Sequence, residues 1–203
     1  MHLDLPHLIW SGPPIDDREM LPRLPPELGA ALEERNGCLA WRGAFHVRGA
    51  CRQPEWHGLR SALEGPDAFC RLYPEVREDD VPWAEDGFGD QLLVRSGRVL
   101  RLFAETGELE PRAESVEQFL DQLLADPTSA LGFEPVDVLG PAGGMLEPGR
   151  LLSVYPPFCT AEAATGVSIR PIETLERRRW LARFAAQLRN LPDGASVRID
   201  PIS

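Results

Sequence analysis

The chain has 203 residues, 43% of them hydrophobic, which suits one compact domain with a real core. Its net charge of −11 argues against unspecific attraction to nucleic acid or an anionic membrane and suits a basic protein partner. All 21 basic residues are arginines, so lysine chemistry of the P-loop, Schiff-base and kinase kinds is excluded at once.

In chain order, residues 1–18 are proline-rich and read as an irregular arm. They carry no early positive charge and no long apolar run, so neither a signal peptide nor a membrane span is expected; the cytoplasm is the expected compartment. "PELGAALEER", 26–35, places Leu28, Ala31 and Leu32 on one helical face, with Pro26 in the first turn and Asn36-Gly37 as the stop. "CLAWRGAFHVRG" reads as a hairpin turning near Arg42-Gly43, and "EWHGLRSALEG" as a short helix. "QLLVR" and "VLRLF" are strands joined through Ser96-Gly97, and "AETGELE" turns again at Thr106-Gly107, which makes an antiparallel meander.

"ESVEQFLDQLLAD" is the clearest helix: Val116, Phe119, Leu120, Leu123 and Leu124 form an apolar stripe. Ser115 and Gln118 are a capping-box pair, and Pro127 is the stop. From residue 134 the chain turns Gly- and Pro-rich, with strands at "LLSVY" and "GVSIRPI". "TLERRRWLARFAAQLRN" is a second long helix with Thr174 as N-cap and Leu181, Phe184, Ala185 and Leu188 facing inward; "SVRID" reads as a final strand.

The stretch "PWAEDGFGDQLLVRSGRV", 82–99, gathers carboxylates around two glycines. It fails as a calcium loop, because aligning Gly87 with the central glycine puts Pro82 and Ala84 at ligand positions and Leu93 at the twelfth. It fails as a dinucleotide fingerprint, because Leu92 stands where a third small residue belongs and no helix opens there. Asp86 and Asp90 form a carboxylate pair, but nothing in the sequence splits their environments as acid–base work requires. The better reading is a turn: Asp86 bonds its own backbone, Gly87 accepts positive φ, and Gly89 lets the chain re-enter a strand. His46, in a strand-like run, is expected to be a hydrogen-bonded structural residue. Cys38, Cys51, Cys70 and Cys159 read as free thiols, and Cys38, His46, Cys51 and His57 match no standard zinc spacing.

"LPRLPPELGAALEERNGCLAWRGAFHVRGA", "DVPWAEDGFGDQLLVRSGRVLRLFAETGELE" and "SVEQFLDQLLADP", in that order, resemble the SUKH superfamily, named partly for a fungal regulator of cell-wall assembly and glucan synthesis. The resemblance covers residues 19–133; residues 134–203 lie outside it as a C-terminal α/β extension, expected to belong to the same compact unit. It implies an α+β fold, an antiparallel-rich sheet flanked by helices with that extension packed on the core. It also implies no catalytic, cofactor-binding or metal residues. Bacterial members look like immunity proteins that neutralise a nuclease- or deaminase-like toxin, and fungal members like signalling scaffolds.

The charge pattern agrees with a protein partner. Residues 75–90 hold seven carboxylates against Arg77, and residues 105–126 hold seven more against Arg112. An acidic face of this kind is steered into a basic cleft. The expected partner-binding residues are Glu78, Asp79, Asp80, Trp83, Glu85, Asp86, Phe88 and Asp90, the two aromatics serving as anchors. The arginines Arg177, Arg178, Arg179 and Arg183 are expected to pair, inside the molecule, with the carboxylates of these two segments. The leading expectation is thus a non-enzymatic binding module that neutralises a basic toxin domain. An intracellular scaffold without a toxin partner is the alternative, and an enzyme using Asp86, Asp90 or His46 the third.

Overall fold

The computed structural model describes residues 3–134, 144–192, 194–197 and 199. Seven strands form one antiparallel sheet in which every strand pairs with its neighbours in sequence. They are β1 (Trp10–Ser11), β2 (Cys38–Ala40), β3 (Phe45–Val47), β4 (Val81–Asp86), β5 (Gln91–Arg95), β6 (Arg98–Leu102) and β7 (Leu109–Ala113). The predicted meander is present. Its β5–β6 turn uses Ser96 at φ 51° and Gly97 at φ 82°, the pair of left-handed residues that a tight hairpin of right-handed twist requires.

The N-terminal segment differs from the expected irregular arm. Leu3 and Leu5 are buried in the core, and Trp10 pairs with Leu39 to add β1 to the sheet edge. Burial of two leucines and an aromatic outweighs the weak local propensity of a proline-rich stretch.

Both faces of the sheet are covered. Helix α1 (Pro26–Glu34) buries Leu28, Ala31 and Leu32 as its spacing predicts. They join Phe45, Trp83, Leu92, Val94 and Val99, together with Phe119, Leu120 and Leu123 of α4 (Val116–Ala125). Between α1 and α4 come two short helices, α2 (Leu59–Leu63) and α3 (Phe69–Leu72), and after α4 comes α5 (Pro127–Leu131). On the other face Leu93 and Leu102 meet Phe69 and Tyr73, and Trp180, Leu181, Phe184 and Ala185 of α6 (Thr174–Leu188). Alternation along β5 sends Leu92 and Val94 one way and Leu93 the other.

Two helix starts differ in detail from the sequence reading. Ser115 caps α4 by accepting from Gln118 N at 3.1 Å, but the Gln118 side chain accepts from Glu114 N, one residue before the cap. Glu173, not Thr174, caps α6, accepting from Glu176 N at 2.7 Å. Pro127 both stops α4 and opens α5. Leu124 is the exception in the apolar stripe: it is 50% exposed, because the sheet reaches only the 116/119/120/123 face.

The C-terminal extension packs on the core. β8 (Arg150–Tyr155) and β9 (Ser168–Glu173) form a separate two-stranded antiparallel sheet. Leu152 N donates to Gly87 O and Leu146 N to Arg42 O, tying the extension to the β4–β5 and β2–β3 turns. The described residues of "SVRID", 196, 197 and 199, are not strand, and the rest of that segment lies outside the described residues.

Candidate functional site

The 86–90 segment is a turn, as its composition predicts. Asp86 Oδ1 accepts from the backbone N–H of Phe88, Gly89 and Asp90 at 2.9–3.1 Å, and Asp86 N returns to Asp90 O. The positive φ falls on Gly89, at +101°, and not on Gly87. Gly87 instead anchors the turn through its backbone, donating its N–H to Ala44 O and accepting from Leu152 N at its carbonyl. Arg101 donates to Asp86 Oδ2 at 2.9 Å and to Asp90 Oδ2 at 2.8 Å. Burial, then the charge of Asp90, push the Asp86 carboxyl up from its ordinary range, against Arg101 and the backbone N–H groups. Only donors surround its two oxygens, so the geometry is that of a carboxylate locked into a turn.

A bulge lies before the turn, in β4. Pro82 faces Leu93 and Ala84 faces Leu92, so Trp83 is the extra residue in β4. Beyond it, Glu85 sits 1% exposed at the centre of a charged network. Its Oε2 accepts from Arg48 at 3.0 Å, Gln91 at 3.1 Å and Arg178 Nε at 2.9 Å. Its Oε1 accepts from Arg178 NH2 and faces His46 Nδ1 at 2.9 Å. Burial alone would raise this carboxyl, but Arg178 and Arg48 hold it well below the usual carboxylate range. The network joins β3, β4, β5 and α6, and Arg48 also donates to the Gln91 side chain and to Pro82 O.

From Glu85 the hydrogen bonds run on through two histidines. His46 Nε2 meets His57 Nδ1 at 2.8 Å, and His57 Nε2 meets the Asn36 carbonyl oxygen at 2.9 Å. The His57 ring lies in a slot walled by glycine. A Cβ on Gly12, Gly37 or Gly49 would come within 2.4–2.5 Å of a ring atom. Trp56 packs over His46 and His57 at 5.0 and 5.5 Å, and Trp10 lies edge-on to His57 at 4.7 Å. This chain ends on a backbone carbonyl and a fully engaged carboxylate, with no nucleophile at either end. What it does chemically is fix protons and orient strands.

The four thiols and the imagined zinc set do not converge: among the described residues no three His, Cys, Asp or Glu side chains are arranged to hold a metal. Burial pushes the Cys38 thiol up to about 12 and the Cys51 thiol up to about 11, which makes both poor ligands and poor nucleophiles.

The proposed acidic face is redistributed by these pairings. Asp80 is buried and held by Arg95 through both oxygens, at 2.6 and 2.7 Å, and by Arg77 N. Trp83, Glu85 and Asp86 are buried too, so none of the four presents a surface. Glu78 and Asp79 stay exposed, and Phe88 and Asp90 are half-buried. Phe88 stacks edge-on with Phe133 and Phe158 at 4.8 and 5.2 Å instead of standing free. The arginine expectation holds for two of four: Arg178 meets Glu85 and Arg177 lies 3.7 Å from Glu105, whereas Arg179 meets Asp67, outside both acidic segments, at 2.6 Å. Arg183 is exposed.

Apart from Glu78 and Asp79, the exposed carboxylates of the two acidic segments belong to the second. Glu108 and Glu110 on the β7 side, and Glu114, Glu117, Asp121 and Asp126 along α4, are all exposed. Glu114 pairs with Arg98 at 2.9 Å and Asp126 caps α5. Glu117 and Asp121 make no ion pair among the described residues, and Leu124 lies one turn on from Asp121 along the same exposed side.

No family model, curated protein or solved structure matches the chain. Sequence reasoning missed Arg48, Gln91, His57 and Trp56 as members of the network. The available signal was weak: a charge and an imidazole inside the otherwise apolar run "AFHVRGA", both at positions that a strand would bury.

Proposed function

We propose that this chain is a non-enzymatic protein-binding module of the SUKH type, an immunity protein that neutralises a basic toxin domain of the nuclease or deaminase kind. The observation that carries this reading is the outer face of α4, where Glu117 and Asp121 make no ion pair among the described residues and stand beside the half-exposed Leu124. Such a surface offers long-range attraction to a cationic cleft and one apolar contact inside it. The ordered resemblance of residues 19–133 to SUKH proteins supports the same reading. The buried carboxylates Asp80, Glu85 and Asp86 serve the fold, and Glu117 and Asp121 serve the partner.

The test uses a purified basic toxin-like protein encoded beside this gene, and a neighbourhood that encodes none counts against the reading. Wild type binds it by calorimetry and abolishes its activity, whereas Glu117→Lys/Asp121→Lys/Leu124→Asp binds at least tenfold more weakly and no longer protects cells that express it. Equal binding by both proteins would move the interface off α4. Absence of binding and protection by wild type would sink the immunity reading itself.

A further inference from the structure

The hydrogen-bond chain from Asn36 to Glu85 can be counted proton by proton. It has three links, Asn36 O to His57, His57 to His46, and His46 to Glu85. Both of its ends are acceptors, a backbone carbonyl and a carboxylate. Three links need three protons, and two neutral imidazoles bring two. Glu85 does not bring the third, because its oxygens already accept four N–H bonds from Arg48, Gln91 and Arg178.

The charged end decides where the two protons sit. A carboxylate at 2.9 Å claims a proton on His46 Nδ1, since a charge-assisted bond is the strongest of the three. Neutral His46 then has a lone pair on Nε2, so His57 donates to it from Nδ1. The lone pair left on His57 Nε2 points at the Asn36 carbonyl oxygen, 2.9 Å away. The carbonyl has little freedom to turn aside. Asn36 is pinned by its own side chain, which accepts from Ala50 N at 2.6 Å and donates to Pro13 O at 2.7 Å. The ring has little either, because Gly12, Gly37 and Gly49 line it so closely that a Cβ on any of them would overlap it.

We propose that His46 and His57 form a proton-deficient pair, both carrying their proton on Nδ1, and that the pair takes one proton from solvent in acid at His57 Nε2. That step makes the pair the acid-responsive point of the fold. Uptake converts the repulsive contact with Asn36 O into a hydrogen bond and adds a third positive charge to Arg48 and Arg178 around one carboxylate. The charged groups facing the pair are Glu85 from β4, Arg48 from the residue after β3, and Arg178 from α6; Gln91, Trp10 and Trp56 complete the surround without charge. Desolvation first keeps the pair neutral near pH 7, pushing His46 down to about 4 and His57 to about 3; the two guanidiniums add to this at His46, and the neighbouring His46, then the guanidiniums, at His57. The bond to Glu85 opposes this at His46, and the bond to Asn36 opposes it at His57.

The experiment is long-range proton–nitrogen NMR on the intact protein labelled at histidine, with assignments from His46→Gln and His57→Gln. Expected at pH 7.5 are protonated Nδ1 and bare Nε2 on both rings, the reverse of the tautomer that free histidine favours. On acidification, while near-ultraviolet circular dichroism stays native, His57 Nε2 gains a proton in one step and the Asn36 carbonyl carbon shifts with it. A proton on Nε2 of either ring at pH 7.5, an imidazolium at that pH, or no ring change before unfolding would each overturn the proposal. As a second readout, folded His57→Gln loses the acid step in stability. If that variant unfolds, the wild-type spectra decide, with rings assigned through His46→Gln; an unchanged step in a folded variant overturns the proposal.

Discussion

Replacing Glu85 by Gln keeps the shape of the side chain and removes its charge. The two guanidiniums it serves have side-chain exposures of 0% for Arg48 and 5% for Arg178, so neither has water to turn to. The amide nitrogen of Gln would also point a donor at a donor. Removing one partner of a buried ion pair costs about 3–5 kcal/mol, because an uncompensated charge stays behind. Here two are left. Retained acceptance by the amide oxygen offsets part of this, so the lower end, about 3 kcal/mol, is the expected minimum. Typical domains have only about 5–15 kcal/mol in total, and in a chain of this size each kcal/mol moves Tm by about 2–4 °C. The fall in Tm is therefore about 6–20 °C. Urea unfolding followed by circular dichroism reads the loss as a lower midpoint. Arg178→Met in the Glu85→Gln background should cost less than in wild type, since the charge it removes is already unpaired. A loss below about 1 kcal/mol for Glu85→Gln would refute the view that this network holds α6 to β4.

Two further outcomes are expected. Gly49→Ala places a Cβ 2.4 Å from both Asn36 O and His57 Nε2, so it should cost about 1–3 kcal/mol or more through overpacking. Gly65→Ala meets nothing within 4 Å and bears only the strain of φ +83°, about 1 kcal/mol; equal losses in urea would contradict the glycine slot. Stability should also fall in acid. The His46 pKa is about 4 in the fold against 6.5 ordinarily, so the unfolded chain binds more protons between those values. Its contribution is present above pH 6.5 and is lost as pH falls toward 4, at about 1.4 kcal/mol per pH unit, or roughly 3 kcal/mol for this one residue. Glu85, whose pKa is depressed, adds to the loss below its ordinary value of 4.5. A urea midpoint that stays level from pH 7 to pH 4.5 would contradict both histidine shifts.

Much of the fold was legible in the residues themselves. Ser96-Gly97, Thr106-Gly107 and Arg42-Gly43 set hairpins because left-handed backbone is local chemistry, and the α1 and α4 stripes follow from helical spacing. Short connections then force neighbouring strands to pair, which gives the meander. The Asp86 turn was legible for the same reason, although the positive φ moved to Gly89.

The site was not legible, because burial of a charge depends on what lies on the far side of the sheet. Glu85 and Glu117 are alike in sequence, each a carboxylate in an acidic run. One is enclosed because the Trp83 bulge and the docking of α6 set Arg48 and Arg178 around it, and the other faces solvent because no element among the described residues covers that side of α4. Composition fixed how many carboxylates and arginines the chain has, and local spacing fixed the strands and helices that carry them. Only tertiary packing decided which charges neutralise one another inside, since contacts such as the one between residues 85 and 178 join segments whose separation in the chain carries no periodic signal.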